Sequence, residues 1–374
     1  MRKSRRNFLG KFALSIAALL PWNRKSITAE PKNKKSMNSS NQEPILAIKP
    51  LGFQWETADP FLFCVHHDDK FPKGEVHLGP PAADLKGRHI GQDFILKDGW
   101  RMYHGKTVPG FPGHPHRGFE TITVVRKGIV DHADSMGGAG RYGEGDVQWM
   151  TAGKGLQHSE MFPLLHQDKE NPMELFQIWL NLPQKSKMVQ PHFKMLWSEN
   201  IPVLDQQNGV YVEVVAGRLS NLQADNPPPD SWAADASNEV AIWNIMLEAN
   251  RKFTLPAASK GLNRTLYFYE GDSLWIAGES IPAYHAAVLA SDQTVQIQSG
   301  NQAVKVLMLQ GKPINEPVVQ HGPFVMNSRE EIQEAFQDYH RDQFGGWPWP
   351  KYDQVHDASK KRFALHADGR TEKG

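Results

Sequence analysis

The chain has 374 residues, 40% apolar and 22% charged, with one cysteine and a formal net charge of +1. At roughly 100–200 residues per domain it holds two domains or one large one. A single cysteine excludes a disulfide framework, a zinc finger and an iron–sulfur cluster, while 31 Gly and 26 Pro ask for many turns and favour β structure over a helical bundle.

Residues 1–29 read as an export signal. Arg2, Lys3, Arg5 and Arg6 form a positive start, and Phe12–Trp22 is a short apolar run, below the ~18–20 residues that span a bilayer. Ser4 to Lys11 (SRRNFLGK) resembles the bacterial twin-arginine motif. That route leads to the periplasm, with a tethered form if the weak site after Ala29 is not cut. The segment holds seven Lys/Arg and no Asp/Glu, so the remaining chain has 35 basic against 41 acidic residues, a net charge of −6. An acidic chain is a poor binder of phosphate backbones, so no nucleic-acid partner is expected, and the mature form has no integral membrane segment. Residues 30–44 are polar and read as a disordered spacer.

Short alternating runs between Gly/Pro clusters follow. Phe119–Val125 and Gln177–Leu182 read as strands of a first block, 45–185, and Val210–Val215, Val240–Leu247, Thr265–Tyr269 and Val304–Leu309 as strands of a second, 205–325. Thr265–Gly278 loosely echoes Thr121–Asp134, which suggests a duplicated barrel. Asn226–Asp230, with three prolines, is a surface loop. In the last segment, 326–374, Ser328 and Glu331 make a capping box, and Ile332, Phe336 and Tyr339 recur at helical spacing. Gly345-Gly346 ends that helix, and a polar tail follows. The fold class is therefore all-β, two blocks built as sandwiches or barrels, with a short C-terminal helix.

Sixteen histidines are scattered along the chain, but two pairs stand out. His114 and His116 are two apart, as are His158 and Glu160. On a strand, residues i and i+2 share a face. Two converging strands would thus give three nitrogens and one carboxylate. That set suits Fe(II), Mn, Ni, Cu or Zn, and the missing thiolate argues against a closed structural zinc site. Solvated loop histidines beside prolines are the alternative that spacing alone leaves open.

His114-Pro115-His116-Arg117-Gly118-Phe119-Glu120-Thr121 and Gly145–Gly155, leading into His158-Ser159-Glu160, resemble the signature of the pirin family, in the cupin superfamily. Asp59–Leu62 and Gln320–Asn327 resemble its first strand and its closing segment. The resemblance implies two cupin-type barrels, with one metal, most readily Fe(II), in the first. Its ligands would be His114, His116, His158 and Glu160. The second barrel, with only His285 after Pro282-Ala283-Tyr284, is expected to hold none. Two features depart from the pattern: a Gly-rich loop at 137–140 and an expanded region, 64–112, that could cover the pocket mouth. Glu120 stands where many cupins place a ligand, and is expected close behind the metal here. Arg117 is left between a surface ion pair and a partner of the ligands. His66 and His67 read as loop residues, and His321 as packed between the domains. Trp149, Met150, Phe61 and Trp179 read as barrel core, with one or two of them lining an apolar pocket, and Cys64 as a buried apolar side chain.

Some pirins resemble quercetin dioxygenases, which open a flavonol with O2 and release carbon monoxide. This implies an enzyme with a small phenolic substrate and O2, in which Glu160 is both ligand and general base. Other pirins resemble redox-responsive interaction proteins, which leaves a non-enzymatic metal-binding role with a protein partner as the alternative.

Overall fold

The computed structural model describes residues 43–205 and 207–374. The export signal, and all of the 30–44 spacer but its last two residues, lie outside the described residues. Among those described, no helix is long and apolar enough to cross a membrane.

Two six-stranded sheets build the first barrel. One runs His192–Leu196, Val147–Thr151, Phe119–Lys127, Asn171–Asn181, Phe61–Phe71, Gln54–Trp55. The other runs Thr371–Lys373, Phe363–Leu365, Ala139–Gly143, Ile129–Asp134, Leu156–Met161, Gly110–His116. Val125, Met150 and Leu175 of the first sheet share one core with Val130, Tyr142 and Leu156 of the second. The second barrel packs a seven-stranded sheet, Ile45–Pro50 to Val203–Asp205, against a four-stranded one. Val212, Ile245 and Val306 fill it from one side, Leu255, Ile276 and Ile297 from the other.

The barrels meet through the other face of the first sheet. Ile122, Val124, Phe176 and Ile178 pack with Val215, Ile242, Tyr267 and Leu307 of the second barrel. Strands such as Phe119–Lys127 are thus covered on both faces, which is why every residue from Phe119 to Val125 is buried although the run alternates polar and apolar side chains. Cys64, fully buried in this interface, is the inert apolar side chain expected.

Both chain ends cross over. Ile45–Pro50, expected to open the first barrel, instead pairs with His285–Leu289 at the edge of the second. The tail is not loose: Phe363–Leu365 pairs with Ala139–Arg141, so half of the expected Gly-rich loop is strand. Unpaired sheet edges explain both, since each terminal segment covers an edge that would otherwise stay open. The C-terminal helix, Arg329–Asp342, forms with both halves of the capping box made. Arg117 clamps it to the first barrel. Its Nη1 donates to Asp338 Oδ2 at 2.9 Å, its Nε to Lys154 O at 2.7 Å, and it lies over the Phe344 ring. Arg117 is therefore a buried tether rather than a surface pair. His321 does not sit between the barrels; it is exposed and contacts Phe336 of this helix.

Residues 72–109 form a long excursion from the end of the strand Phe61–Phe71. Arg88 pins it from within. Its guanidinium lies 3.4 Å from the centroid of the Trp100 ring, and its Nη1 meets Asp93 and Trp100 O, each at 3.0 Å. This excursion folds back over the first barrel.

Candidate metal centre

The strands Gly110–His116 and Leu156–Met161 are antiparallel neighbours, with His114 directly opposite His158. Side chains directly opposite each other share a face. The three imidazoles therefore converge, as their strand spacing requires: their ligand nitrogens all lie within 4.8 Å of one another. A bulge between Phe111 and His114 restores phase, so Phe111 opposite Glu160 faces the same way despite its odd spacing from His114. After His116 the chain turns sharply at Gly118, whose positive φ places it where a Cβ would lie 2.0 Å from Val325 O.

All three histidines are held neutral. Burial lowers His114 to about 4 and His116 and His158 well below the usual imidazole value. His114 Nδ1 lies 3.0 Å from Pro112 O, which makes Nδ1–H the donor and leaves Nε2 with its lone pair. His158 is fully buried, yet neither ring nitrogen has a hydrogen-bond partner among the described residues, and His116 Nδ1 is likewise unpaired. Unpaired buried nitrogens cost free energy and call for an explanation. A metal ion bound to neutral imidazoles supplies one, so the residues fit the group.

Glu160 stands beside the trio, its Oε2 3.8 Å from His158 Nε2. The facing sheet grips it. Thr123 and Gln177, a cross-strand pair, lie 2.8 Å from its Oε1 and Oε2. Thr123 Oγ1 is also 2.8 Å from Gln177 Oε1, and one hydroxyl proton cannot serve two acceptor oxygens. The set closes when Glu160 carries a proton and donates it to Thr123, in keeping with burial, which raises the Glu160 pKa.

Other expected residues fall elsewhere. Glu120 is not behind the metal. Strand parity turns it to the interface side with Ile122 and Val124, where it accepts from Thr151 Oγ1 at 2.7 Å and Ser231 Oγ at 2.5 Å. Burial raises it from 4.5 to about 7. Folding then takes up a proton between these values, so this group's contribution is complete below about pH 4.5 and is lost as pH rises through about 7. In Glu120→Gln, urea denaturation should show a stability advantage over the wild type that grows from about pH 5 to pH 8; a constant difference would contradict the assignment. His66 and His67 lie on a strand rather than in a loop. His66 stacks on Phe176 between the barrels, while His67 reaches the cavity. Trp149, Met150 and Phe61 are core, and Trp179 lines the cavity, its ring centroid 5.5 Å from that of His116.

His132, not anticipated from the spacing, also stands here: its ring centroid is 5.6 Å from that of His158 and its Nε2 is 3.1 Å from Asp134 Oδ2. The i, i+2 relation of His132 and Asp134 was the available signal.

His114, His116 and Glu160 open on a cavity of about 530 Å³, within the ~300–1,000 Å³ typical of small-molecule sites. Its walls are largely aromatic: Phe53, Phe63, Phe94, Phe111, Phe162 and Trp179. The 72–109 excursion contributes Phe94, His104 and Lys106, so the expanded region does line the pocket.

Two β-barrels in one chain, with a buried histidine cluster in the first, define a bicupin. Family models agree: residues 50–180 match pirin and residues 242–345 the pirin C-terminal cupin domain. A Pseudomonas aeruginosa protein provisionally named quercetin 2,3-dioxygenase is 38% identical, across 71% of this chain and 95% of its own length. A pirin-like protein of Caulobacter vibrioides is 37% identical, across 71% of this chain and 91% of its own. Among solved structures, a quercetin 2,3-dioxygenase from Acinetobacter baumannii superposes with a TM-score of 0.64 at 26% identity, covering 81% of this chain and 98% of that one. The chain belongs to the pirin family.

Proposed function

We propose that this protein is a metal-dependent dioxygenase acting on a flavonol or a related phenolic compound, with one mononuclear metal held by His114, His116, His158 and Glu160. Fe(II) is the metal we favour, from the family resemblance and the nitrogen and oxygen donors. The observation that carries the reading is a trio of neutral imidazoles, with buried unpaired nitrogens on His116 and His158, beside an aromatic cavity that His114 and His116 line. The relatives' names supply the substrate class.

When bound, such a metal supplies a Lewis acid for a phenolate and a centre for O2, and its charge favours the ionised form of Glu160. The chain does the rest. Phe111 and Trp179 offer flat faces to a flat substrate. Glu160 Oε2, the oxygen nearer His158, takes the substrate hydroxyl proton, while Thr123 and Gln177 hold the carboxylate in place. The aromatic walls keep water from the reacting ring.

The test is flavonol consumption by metal-loaded protein, with and without O2. Oxygen-dependent loss of the flavonol is expected, and Glu160→Gln should lower kcat by about 100-fold or more, the usual scale for a general base. A fully metallated wild type that leaves flavonols intact in air would overturn the reading.

A further inference from the structure

The cavity has a second polar pole that the metal centre does not use. His67, on the strand Phe61–Phe71, is buried and lines the cavity. Its Nδ1 lies 2.7 Å from the hydroxyl of Tyr103, which the excursion supplies. That hydroxyl donates to Asp69 Oδ2, and Asp69 Oδ1 accepts from Arg101 Nη1 at 3.3 Å.

These contacts fix a direction. A tyrosine has one hydroxyl proton. With that proton on the Asp69 carboxylate, the Tyr103 oxygen can only accept from His67. His67 must therefore carry its proton on Nδ1, which leaves a lone pair on Nε2. Nε2 has no hydrogen-bond partner among the described residues. Burial, then the neighbouring His66 and Arg101, lowers the ring to about 3, so it stays neutral. Asp69, raised by burial to about 6 against the pull of Tyr103 and Arg101 and with Asp68 alongside, is a carboxylate above that pH. The rings of His67 and His114 both flank Phe111, at 6.0 and 6.4 Å between centroids. A flat ring system laid along Phe111 reaches both.

We propose that His67 Nε2 accepts a hydrogen bond from a second substrate hydroxyl, remote from the one presented to the three histidines. The cavity then selects aromatic substrates that carry hydroxyls at both ends, and Tyr103 and Asp69 are positioning residues that hold the His67 tautomer. This rests on the reading of the cavity as the substrate site. It adds a chemical requirement to it, because a buried acceptor left unpaired penalises an analogue that lacks the matching hydroxyl.

Binding, rather than turnover, is the test. Metal-loaded wild type, His67→Phe and Tyr103→Phe are titrated under argon at about pH 7.5, where Asp69 is ionised. The probes are quercetin, which has hydroxyls on both ring systems, and 3-hydroxyflavone, which has only the one beside its carbonyl. His67→Phe should weaken quercetin about 10-fold and 3-hydroxyflavone less than about 2-fold, as expected for one lost hydrogen bond. Tyr103→Phe should narrow the same preference, and nitrogen NMR should show His67 leaving the pure Nδ1–H form. Equal weakening of both probes, no weakening of either, or a wild-type His67 protonated on Nε2 overturns the inference. If wild type binds neither flavonol, the substrate reading fails and takes this one with it. If wild type binds and consumes both while His67→Phe keeps the preference, only this inference fails.

Discussion

Replacing His158 with alanine should abolish metal binding without destabilising the metal-free protein in proportion. Both of its ring nitrogens are unpaired and fully buried. In the metal-free chain they are desolvated without a partner, a cost of about 1–3 kcal/mol for each such group. Removing the ring relieves that cost while opening a cavity, so the two effects oppose each other. Metal binding stabilises only the chain that binds it, by about 2.7 kcal/mol when the free ion is at 100 times its Kd. Thermal unfolding with and without Fe(II) or a redox-inert substitute should therefore show a large upward shift for wild type and none for His158→Ala. Metal analysis should give about one ion per chain against none. An unchanged shift in His158→Ala would remove this histidine from the ligand set.

The second large effect lies away from the centre. Arg141 and Asp131 are buried, on neighbouring strands of the sheet that holds the histidines. Arg141 Nε and Nη2 meet the two Asp131 oxygens at 2.7 and 2.8 Å. Its remaining protons go to the tail: Nη2 to His356 O at 3.0 Å, Nη1 to Asp357 O at 2.9 Å and to Lys360 O at 2.8 Å. All five guanidinium donors are thus used. Arg141→Met strands a buried carboxylate and frees three tail carbonyls, so a loss of about 3–5 kcal/mol is expected in urea denaturation. The double variant Arg141→Met/Asp131→Leu should recover much of it, because no charge is then left unpaired. The tail should also be cut sooner by protease. Since Tyr352 O accepts from Gly113 N, one residue before His114, a released tail should loosen metal binding as well. A single variant as stable as wild type would show that the pair does not hold the tail.

Local pattern made much of this molecule legible. The alternation in Phe119–Val125 and Val304–Leu309 marks strands that the structure contains, and the Ser328/Glu331 box marks a helix start that is made as read. The paired spacings His114/His116 and His158/Glu160 place four side chains on one face, because a strand's period of two is fixed by backbone geometry and needs no neighbour.

The amino-acid sequence by itself determined which side chains share a face, where the helix begins, and, through its motifs, the family. Which sheet each strand joins was decided only by the tertiary structure. Ile45–Pro50 and Phe363–Leu365 each crossed to an edge far away in the chain, and pairing of that kind is set by which open edge each can cover. The same holds for which face meets which partner. Glu120 has the right spacing for the metal but the wrong parity, and Phe111 has the wrong spacing but is returned to the site by a bulge. His67 becomes a cavity residue only because an excursion of the chain brings Tyr103 to it. Parity is a property of neighbours in the chain; register, bulges and cavity walls belong to contacts between distant segments, where burial and hydrogen-bond satisfaction choose among the arrangements that the local pattern allows.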